Sequence, residues 1–185
     1  MIKKYTDMTI DLETLGLKSD ANIVQIGACI FNLKDPTVEP ILFLRNTICH
    51  ASHYSVDQST ADWWNAQGEE AQKALQSPTP IKMRQAIIDL NRFFMDAKLI
   101  QRKIRVWAQG LDFDIPKIKH AYEIETQGKL TPPWVFWNQH DSRTLMSMFP
   151  NVKRVQSKIK HRADHDALAQ SQTMMKIHEH IQRSQ

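Results

Sequence analysis

Hydrophobic positions along the chain follow two different spacings. Short apolar runs bounded by turn residues are typical of strands, whereas apolar residues three and four apart are typical of helices. Met83, Ile87, Leu90 and Phe94 have the helical spacing, and Pro80 precedes them, where a helix can begin. The pattern predicts strands over residues 6–12, 23–31, 41–46, 104–108 and 134–137, and helical segments over residues 59–76, 80–97, 116–125, 141–148 and 163–181.

The order of these elements, β-β-β-α-β-α-β-α, predicts an α/β protein. Pro36 and Pro40 punctuate the link between the second and third strands, as expected of a hairpin-like connection. Strands that alternate with helices favour a sheet covered on its faces by those helices. The expected fold is a five-stranded mixed sheet with three leading antiparallel strands and helices on both faces. This order resembles the ribonuclease-H-like architecture, which does not define a function by itself.

Length and composition are those of one globular domain over residues 1–185. The chain is 42% hydrophobic, has no apolar run long enough to span a membrane and begins without a signal-peptide core, so we expect no membrane partner. Two cysteines, Cys29 and Cys49, are too few for a disulfide scaffold and favour a reduced cytoplasmic setting. A net charge of +4 is compatible with a polyanionic partner.

Asp11 and Glu13 are separated by one residue at the end of the first predicted strand. Side chains two apart on a strand point to the same face, so these carboxylates would project together. Carboxylates held side by side repel each other unless a cation lies between them, and Mg²⁺ or Mn²⁺ is the natural occupant. The alternative is a pair of solvated acidic residues at a strand end.

A second acidic segment follows the fourth predicted strand. Asp112 and Asp114 lie where the chain enters a helix, and a carboxylate there can point back to the strand ends. Either residue could instead cap the helix. We expect one of them to be a metal ligand and the other to be a capping or surface residue.

A third acidic position, Asp166, lies in the first turns of the last predicted helix, and His161 precedes that helix on a loop. A loop position lets the imidazole of His161 reach solvent and substrate. His161 and His165 are also four residues apart, a spacing that zinc sites use. Zinc is the lesser alternative, because no Glu base follows the first histidine and no cysteine is near.

Basic residues surround His161. They could guide a nucleic-acid backbone toward the acidic residues, and the alternative is an ordinary solvated loop. The cluster consists of Lys153, Arg154, Lys158, Lys160 and Arg162.

Three motifs, in this order, resemble the DEDDh (DnaQ-like) family of 3′–5′ exonucleases. They are Asp-x-Glu-x-x-Gly at residues 11–16, Phe113-Asp114 after a strand, and His-x-Ala-x-x-Asp at residues 161–166. The segment Gly110-Leu111-Asp112 departs from the family, in which many members carry an Asn-Ala type sequence.

Within this family, the chain is similar to the phage DexA-type exonucleases and the mycobacterial exoribonuclease-like group. The residues that carry this similarity are Thr60, Trp63, Trp64, Gln67, Asp141, Arg143 and Thr144. They also have structural interpretations, since the two tryptophans could be core residues and Arg143 could pair with Asp141.

The resemblance implies a role for each matching residue. Its metal ligands would be Asp11, Glu13, Asp114 and Asp166, holding two Mg²⁺ or Mn²⁺ ions. Asp114 is favoured over Asp112 because Phe precedes the aspartate in the family pattern. His161 would be the general base. The Thr14 backbone and the Leu15 side chain would contact the terminal nucleotide, although a loop leucine could equally be core.

These features favour a two-metal 3′–5′ exonuclease that releases nucleoside 5′-monophosphates from nucleic acid with a free 3′ end. Single-stranded DNA is the favoured substrate, but 2′-hydroxyl recognition has no short signature, so an exoribonuclease or overhang-trimming RNase is the alternative. A further alternative is a catalytically silent nucleic-acid-binding protein of the same fold. The expected location is the cytoplasm of a bacterial or phage-infected cell, and a homodimer is left open.

Overall fold

The structure, a computed structural model, describes residues 5–48, 52–76 and 79–184, so Cys49 lies outside the described residues. The strands are β1 (Asp7–Thr14), β2 (Ile23–Phe31), β3 (Ile41–Ile48), β4 (Ile81–Lys82), β5 (Arg105–Ala108) and β6 (Gln139–Asp141). The helices are α1 (Gln58–Asn65), α2 (Glu69–Leu75), α3 (Met83–Asp96), α4 (Asp114–Thr126), α5 (Ser142–Met148) and α6 (Ala163–Arg183). In this part of the chain, no helix has the length and hydrophobicity that a membrane crossing needs.

The strands form a mixed sheet in the order β4-β3-β2-β1-β5-β6. The three leading strands pair antiparallel, and β5 and β6 extend the sheet in parallel from β1. The predicted α/β class is therefore confirmed, but the sheet has a sixth strand that the sequence did not reveal. Residues 81–82 after Pro80 pair with β3 before α3 begins, so the helix starts later than predicted.

The prediction of a strand over residues 134–137 is wrong. A 3-10 helix occupies Phe136–Asn138, and the strand β6 follows it. The side chains of Phe136 and Trp137 are 70% and 58% exposed and pack on each other with ring centroids 5.0 Å apart. A run of aromatic residues has the composition of a buried strand, which explains the wrong prediction. The strand β6 pairs with β5 through the backbone of polar residues, so a hydrophobic pattern does not reveal it.

The alternation of side chains along β1 separates two hydrophobic cores. One face of β1 contributes to a core shared with α3 and α4, through Met8, Ile10 and Leu12. The opposite face carries polar residues and is covered by α6, to which it is tied by the 2.8 Å hydrogen bond between Thr9 and Ser171. The second core, shared with α5 and α6, includes Cys29, Phe31, Trp107, Met146, Ala167, Met174 and Ile177. Helices on both faces are thus confirmed.

Gly27 sets how closely α6 approaches the sheet. It lies opposite Asp11 in the ladder between β1 and β2. A β-carbon at Gly27 would lie 2.1 Å from the carbonyl carbon of Ala163, so the first turn of α6 rests directly on the strand backbone. This contact brings the start of α6, with Asp166, to the level of the acidic end of β1.

Candidate active site

The acidic pair lies inside β1, which continues to Thr14 rather than ending at residue 12. Asp11 and Glu13 project from the face covered by α6, while Leu12 between them is buried in the opposite core. Glu13 is only 8% exposed. The rigid strand therefore fixes two carboxylates side by side, as the sequence predicts.

Asp114 joins this pair from α4, whose first residue it is. The Leu12 backbone N–H donates to Asp114 Oδ1 over 3.1 Å, which attaches the start of α4 to β1 between the two acidic side chains. Asp114 is 4% exposed, whereas Asp112 is exposed on the same cavity wall. Neither caps α4 through its side chain. The geometry favours Asp114 as the inward carboxylate.

Asp166 and His161 complete the group from the beginning of α6. The His161 backbone N–H donates to Asp166 Oδ2 over 2.8 Å. Ligand atoms of Glu13, His161 and Asp166 all lie within 4.8 Å of one another. Among the described residues, no such three-residue group includes His165, so the geometry gives no support to a zinc site on the two histidines.

His161 is held in an unusual conformation. Its φ of +61° lies in the left-handed region, which costs a non-glycine residue energy and persists only where the surroundings enforce it. The imidazole packs edge-on against Trp63 and Trp64, with ring centroids 5.0 and 5.7 Å away. Its Nε2 atom is buried and has no hydrogen-bond partner within the described residues. The imidazole is therefore placed beside the carboxylates with one nitrogen unsatisfied.

The carboxylates destabilise one another's charged forms. Burial, with the charges of Asp166 and Asp114, raises the pKa of Glu13 to about 8. Burial also raises the pKa of Asp114 to about 7, although the Leu12 N–H opposes this shift. The pKa of Asp11 is raised by burial and then by its three acidic neighbours, against a hydrogen bond from Gln170.

No lysine or arginine of the described residues forms a salt bridge with these four carboxylates. Lys117 and Arg143 only partly offset the raised pKa of Asp114. Clustered carboxylate oxygens that form no salt bridge are the donor set of a hard divalent cation. The residues present therefore fit a site for Mg²⁺ or Mn²⁺.

These acidic residues and His161 line one cavity of about 730 Å³. Its other lining includes Arg143, Arg154 and Lys160, which we call the basic wall. The predicted basic cluster is thus divided, since Arg154 and Lys160 line the cavity while the Arg162 Nε donates to Asp164 over 2.9 Å.

The Arg143 side chain lines the cavity and does not form an ion pair with Asp141. Its Nη2 donates to the Gln109 carbonyl over 2.9 Å. The Asp141 carboxylate instead caps α5 by accepting from the Arg143 backbone N–H, and it also accepts from the Gly110 backbone N–H and the Thr144 hydroxyl. The guanidinium keeps Nε and Nη1 without partners among the described residues, so both can bind a ligand in the cavity.

A second cavity of about 370 Å³ adjoins the first. Its lining is mainly apolar and consists of Leu12, Glu13, Thr14, Leu17, Ser59, Thr60, Trp63, Trp64 and Phe113. Thr14 thus lines a cavity next to the carboxylates, whereas Leu15, itself a described residue, lines neither cavity. The Leu15 backbone bonds to Asn22 and Asp57, and Leu17, 70% exposed, lines this cavity instead.

Two polar residues that support the site are missed by sequence reasoning. Gln170, 7% exposed, donates from Nε2 to Asp11 Oδ1 over 2.8 Å. Lys117 is 1% exposed, and its Nζ donates to the carbonyls of Leu17 and Phe113. A signal existed for Gln170, which follows Asp166 by four residues and so lies one helical turn further along the same face.

The fold is α/β and the clustered carboxylates fit a divalent cation, and comparison with known proteins gives the family. The model of the Rv2179c-like 3′–5′ exoribonuclease domain matches residues 6–182. The chain belongs to this family, so the expected membership of the 3′–5′ exonucleases is confirmed.

Individual known proteins are similar to the chain in sequence or in fold. The chain is 25% identical over 157 residues to an exodeoxyribonuclease of Enterobacteria phage T4, covering 75% of this chain and 69% of that protein. The nuclease domain of 3′hExo, described as a DEDDh family member bound to rAMP, superposes with a TM-score of 0.65 at 12% identity, over 95% of this chain and 93% of that one.

Cell-death related nuclease 4 superposes with a TM-score of 0.57 at 10% identity. The superposition covers 94% of this chain and 64% of that nuclease. The chain thus spans less than two thirds of that nuclease. The two structural similarities establish a shared fold.

Proposed function

We propose that the protein is a metal-dependent 3′–5′ exonuclease that hydrolyses nucleic acid from a free 3′ end and releases nucleoside 5′-monophosphates. The observation that carries the proposal is the convergence of four carboxylates that form no salt bridge beside an imidazole with an unsatisfied nitrogen. The basic wall across the same cavity supports a polyanionic substrate.

The carboxylates of Asp11, Glu13, Asp114 and Asp166 would hold two Mg²⁺ or Mn²⁺ ions. When bound, such ions activate water and neutralise the charge that develops on the phosphate. Gln170, the Leu12 N–H and the His161 N–H orient three of these carboxylates by donating to Asp11, Asp114 and Asp166. Orientation by neighbouring donors is a usual requirement for ligands of this kind.

His161 is proposed as the general base. Burial lowers the pKa of its imidazole, and Lys160 adds to this shift while Asp166 opposes it. The ring is therefore neutral at neutral pH and can accept a proton from the attacking water. The buried Nε2 is the atom with no other partner in the described structure.

The two cavities suggest how a nucleic-acid end lies across the site. The apolar cavity beside Thr14 and Leu17 suits the terminal nucleobase, and the basic wall suits the phosphates that precede it. We favour single-stranded DNA, in line with the phage relative, and keep RNA as the second substrate because the family is named for exoribonucleases. A single domain over residues 1–185, a cytoplasmic location and a homodimer remain predictions.

The test is digestion of 5′-end-labelled DNA and RNA oligonucleotides with Mg²⁺ or Mn²⁺. The wild type should shorten them stepwise from the 3′ end. His161→Ala should lower kcat by about 10²–10⁴-fold, the usual range for general base catalysis, while His165→Ala stays near the wild-type rate. If His161→Ala keeps the full rate at neutral pH, His161 is not the general base. Binding without hydrolysis by the wild type favours the silent nucleic-acid-binding protein.

A paired substitution tests the second acidic segment. Asp114→Asn should lose far more activity than Asp112→Asn, because only the Asp114 carboxylate is buried and attached to β1. The opposite order, with Asp112→Asn inactive and Asp114→Asn active, means that the ligand has been assigned to the wrong aspartate.

A further inference from the structure

Two adjacent tryptophans of α1 have different environments. The Trp64 side chain is 6% exposed, and its Nε1 donates to the Thr14 carbonyl over 2.9 Å, which attaches α1 to the end of β1. Trp63 is 44% exposed, and its indole N–H has no partner among the described residues. Burial and a hydrogen bond account for Trp64 as a structural residue, but they do not account for Trp63.

Trp63 contacts His161 from outside the carboxylate cavity. The two rings meet edge to face, with centroids 5.0 Å apart and an interplanar angle of 83°. Trp63 lines the apolar cavity and His161 lines the acidic one. The contact between the two rings is therefore part of the boundary between the two cavities.

The backbone of His161 needs such support. A histidine at φ +61° returns to a more favourable conformation unless its surroundings hold it. The His161 N–H bond to Asp166 fixes the backbone, and the two indoles fix the ring. Both indoles line the cavity in which we place the terminal nucleobase, and Trp63 is much the more exposed of the two, at 44% against 6% for Trp64.

We propose that Trp63 is a positioning residue that couples the presence of the 3′-terminal nucleobase to the placement of the His161 imidazole. This inference rests on the proposed function. A nucleobase in the apolar cavity packs on the exposed face of the indole and immobilises it. The immobilised indole then keeps the imidazole at its place beside Glu13 and Asp166. An end that lacks a base leaves the indole, and with it the imidazole, less well fixed.

The main experiment compares Trp63→Ala with wild type on two single-stranded DNA substrates, one with an ordinary 3′-terminal nucleotide and one with a 3′-terminal abasic residue. On the ordinary end, Trp63→Ala should lower kcat by about 10- to 100-fold, the effect of misplacing a reacting group by about 1 Å, with a smaller change in KM. On the abasic end, the variant should differ from wild type by less than about threefold, because the coupling is already absent.

Two further variants separate positioning from general damage. Trp63→Phe keeps an aromatic edge against His161 and should restore kcat on the ordinary end to within about fivefold of wild type. Trp137→Ala removes another exposed tryptophan, one that packs on Phe136 and lines neither cavity, and should change neither kcat nor KM.

A readout without substrate tests the ring contact itself. In NMR spectra of the free protein, ring-current shifts on the His161 imidazole protons should be reduced by Trp63→Ala and kept by Trp137→Ala. Unchanged imidazole shifts in Trp63→Ala would overturn the proposal. An equal loss of kcat on both substrates, or an effect on KM alone, would also overturn it. Absence of hydrolysis by the wild type refutes the proposed function and the positioning role together, whereas the other results refute the positioning role alone.

Discussion

The strand β1 carries acidic residues on one face near both of its ends, and their surroundings are opposite in kind. At its beginning, Asp7 is fully buried and accepts from Arg105 Nε and Nη2 over 2.6 and 2.8 Å. It also accepts from Trp107 Nε1 over 2.8 Å and from the Leu33 backbone N–H over 3.2 Å. Near its end, the neighbours of Asp11 and Glu13 are other carboxylates, with Gln170 the donor to Asp11.

The difference shows how a single strand separates structural from functional acids. A buried carboxylate is tolerated when a cation and hydrogen-bond donors compensate for lost hydration. Arg105 provides this compensating charge for Asp7. Asp11 and Glu13 form no salt bridge with a cationic side chain of the described residues. The second group needs a partner from outside the chain, which is what a metal-binding catalytic site requires.

We call the part of β1 with Asp7 the compensated end and the part with Asp11 and Glu13 the uncompensated end. Removal of a carboxylate from the uncompensated end should have the largest effect on activity. Asp11→Ala should abolish metal-dependent hydrolysis, because the carboxylate that helps hold the ions is lost. The fold should remain, and the Tm of the metal-free protein should rise slightly as like-charge repulsion is relieved. Oligonucleotide digestion and thermal melting of the same preparation measure both effects. Turnover at the wild-type level would contradict the two-metal assignment.

The same substitution at the compensated end should act on stability. Asp7→Ala leaves the Arg105 guanidinium and Trp107 N–H without their acceptor and should lower the free energy of unfolding by about 3 kcal/mol, as expected for a broken buried ion pair. Urea unfolding measures this loss, and activity per folded molecule should be retained. If Asp7→Ala folds normally and loses activity, the contrast between the two ends of β1 is false.

A substitution that changes no acidic residue tests whether the close packing of α6 on the sheet is needed to place Asp166 and His161 beside Asp11 and Glu13. Gly27→Ala forces a β-carbon against the Ala163 backbone and should cost about 2 kcal/mol of stability through overpacking. The displaced start of α6 carries Asp166 and His161, so kcat should also fall by about 10²-fold. Gly68→Ala, where a β-carbon meets nothing within 4 Å, is the matched control and should change neither quantity.

The smallest effects should come from the basic wall opposite the carboxylates. Arg154→Ala and Lys160→Ala should each raise KM and flatten the salt dependence on single-stranded DNA, by about 0.7 in slope per lost phosphate contact. Lys158→Ala serves as the control, because Lys158 belongs to the same basic cluster but does not line the cavity. Equal slopes for all three variants would favour the solvated-loop interpretation.

The sequence predicted the parts of this arrangement that depend on local patterns. Alternation along a strand is enough to place Asp11 and Glu13 on one face, and element order is enough for the mixed sheet. Contacts between distant residues could not be read in the same way. The bond from Leu12 to Asp114 joins residues 102 apart, and the bond from Gln170 to Asp11 joins residues 159 apart.

Other features were hidden because the local signal pointed elsewhere. Lys117 reads as a surface residue of α4, yet it is buried under the loop of Leu17. Arg143 follows Asp141 at a spacing that suggests a pair, although its side chain bonds to Gln109. The aromatic run before β6 suggests a buried strand, but Phe136 and Trp137 are exposed. In each case tertiary contacts decided against the local preference.

The most direct measurement is calorimetric titration of the metal-free protein with Mn²⁺ near pH 7, in two buffers of different ionisation enthalpy. The raised pKa values of Glu13, about 8, and Asp114, about 7, mean that these groups hold protons at this pH and must lose them to bind metal. The account predicts binding with release of at least one proton per protein, since at pH 7 the Glu13 carboxyl is mostly protonated and the Asp114 carboxyl about half protonated, and a release that falls as the pH rises. Failure to bind Mn²⁺, or binding at pH 7 without proton release, would contradict it.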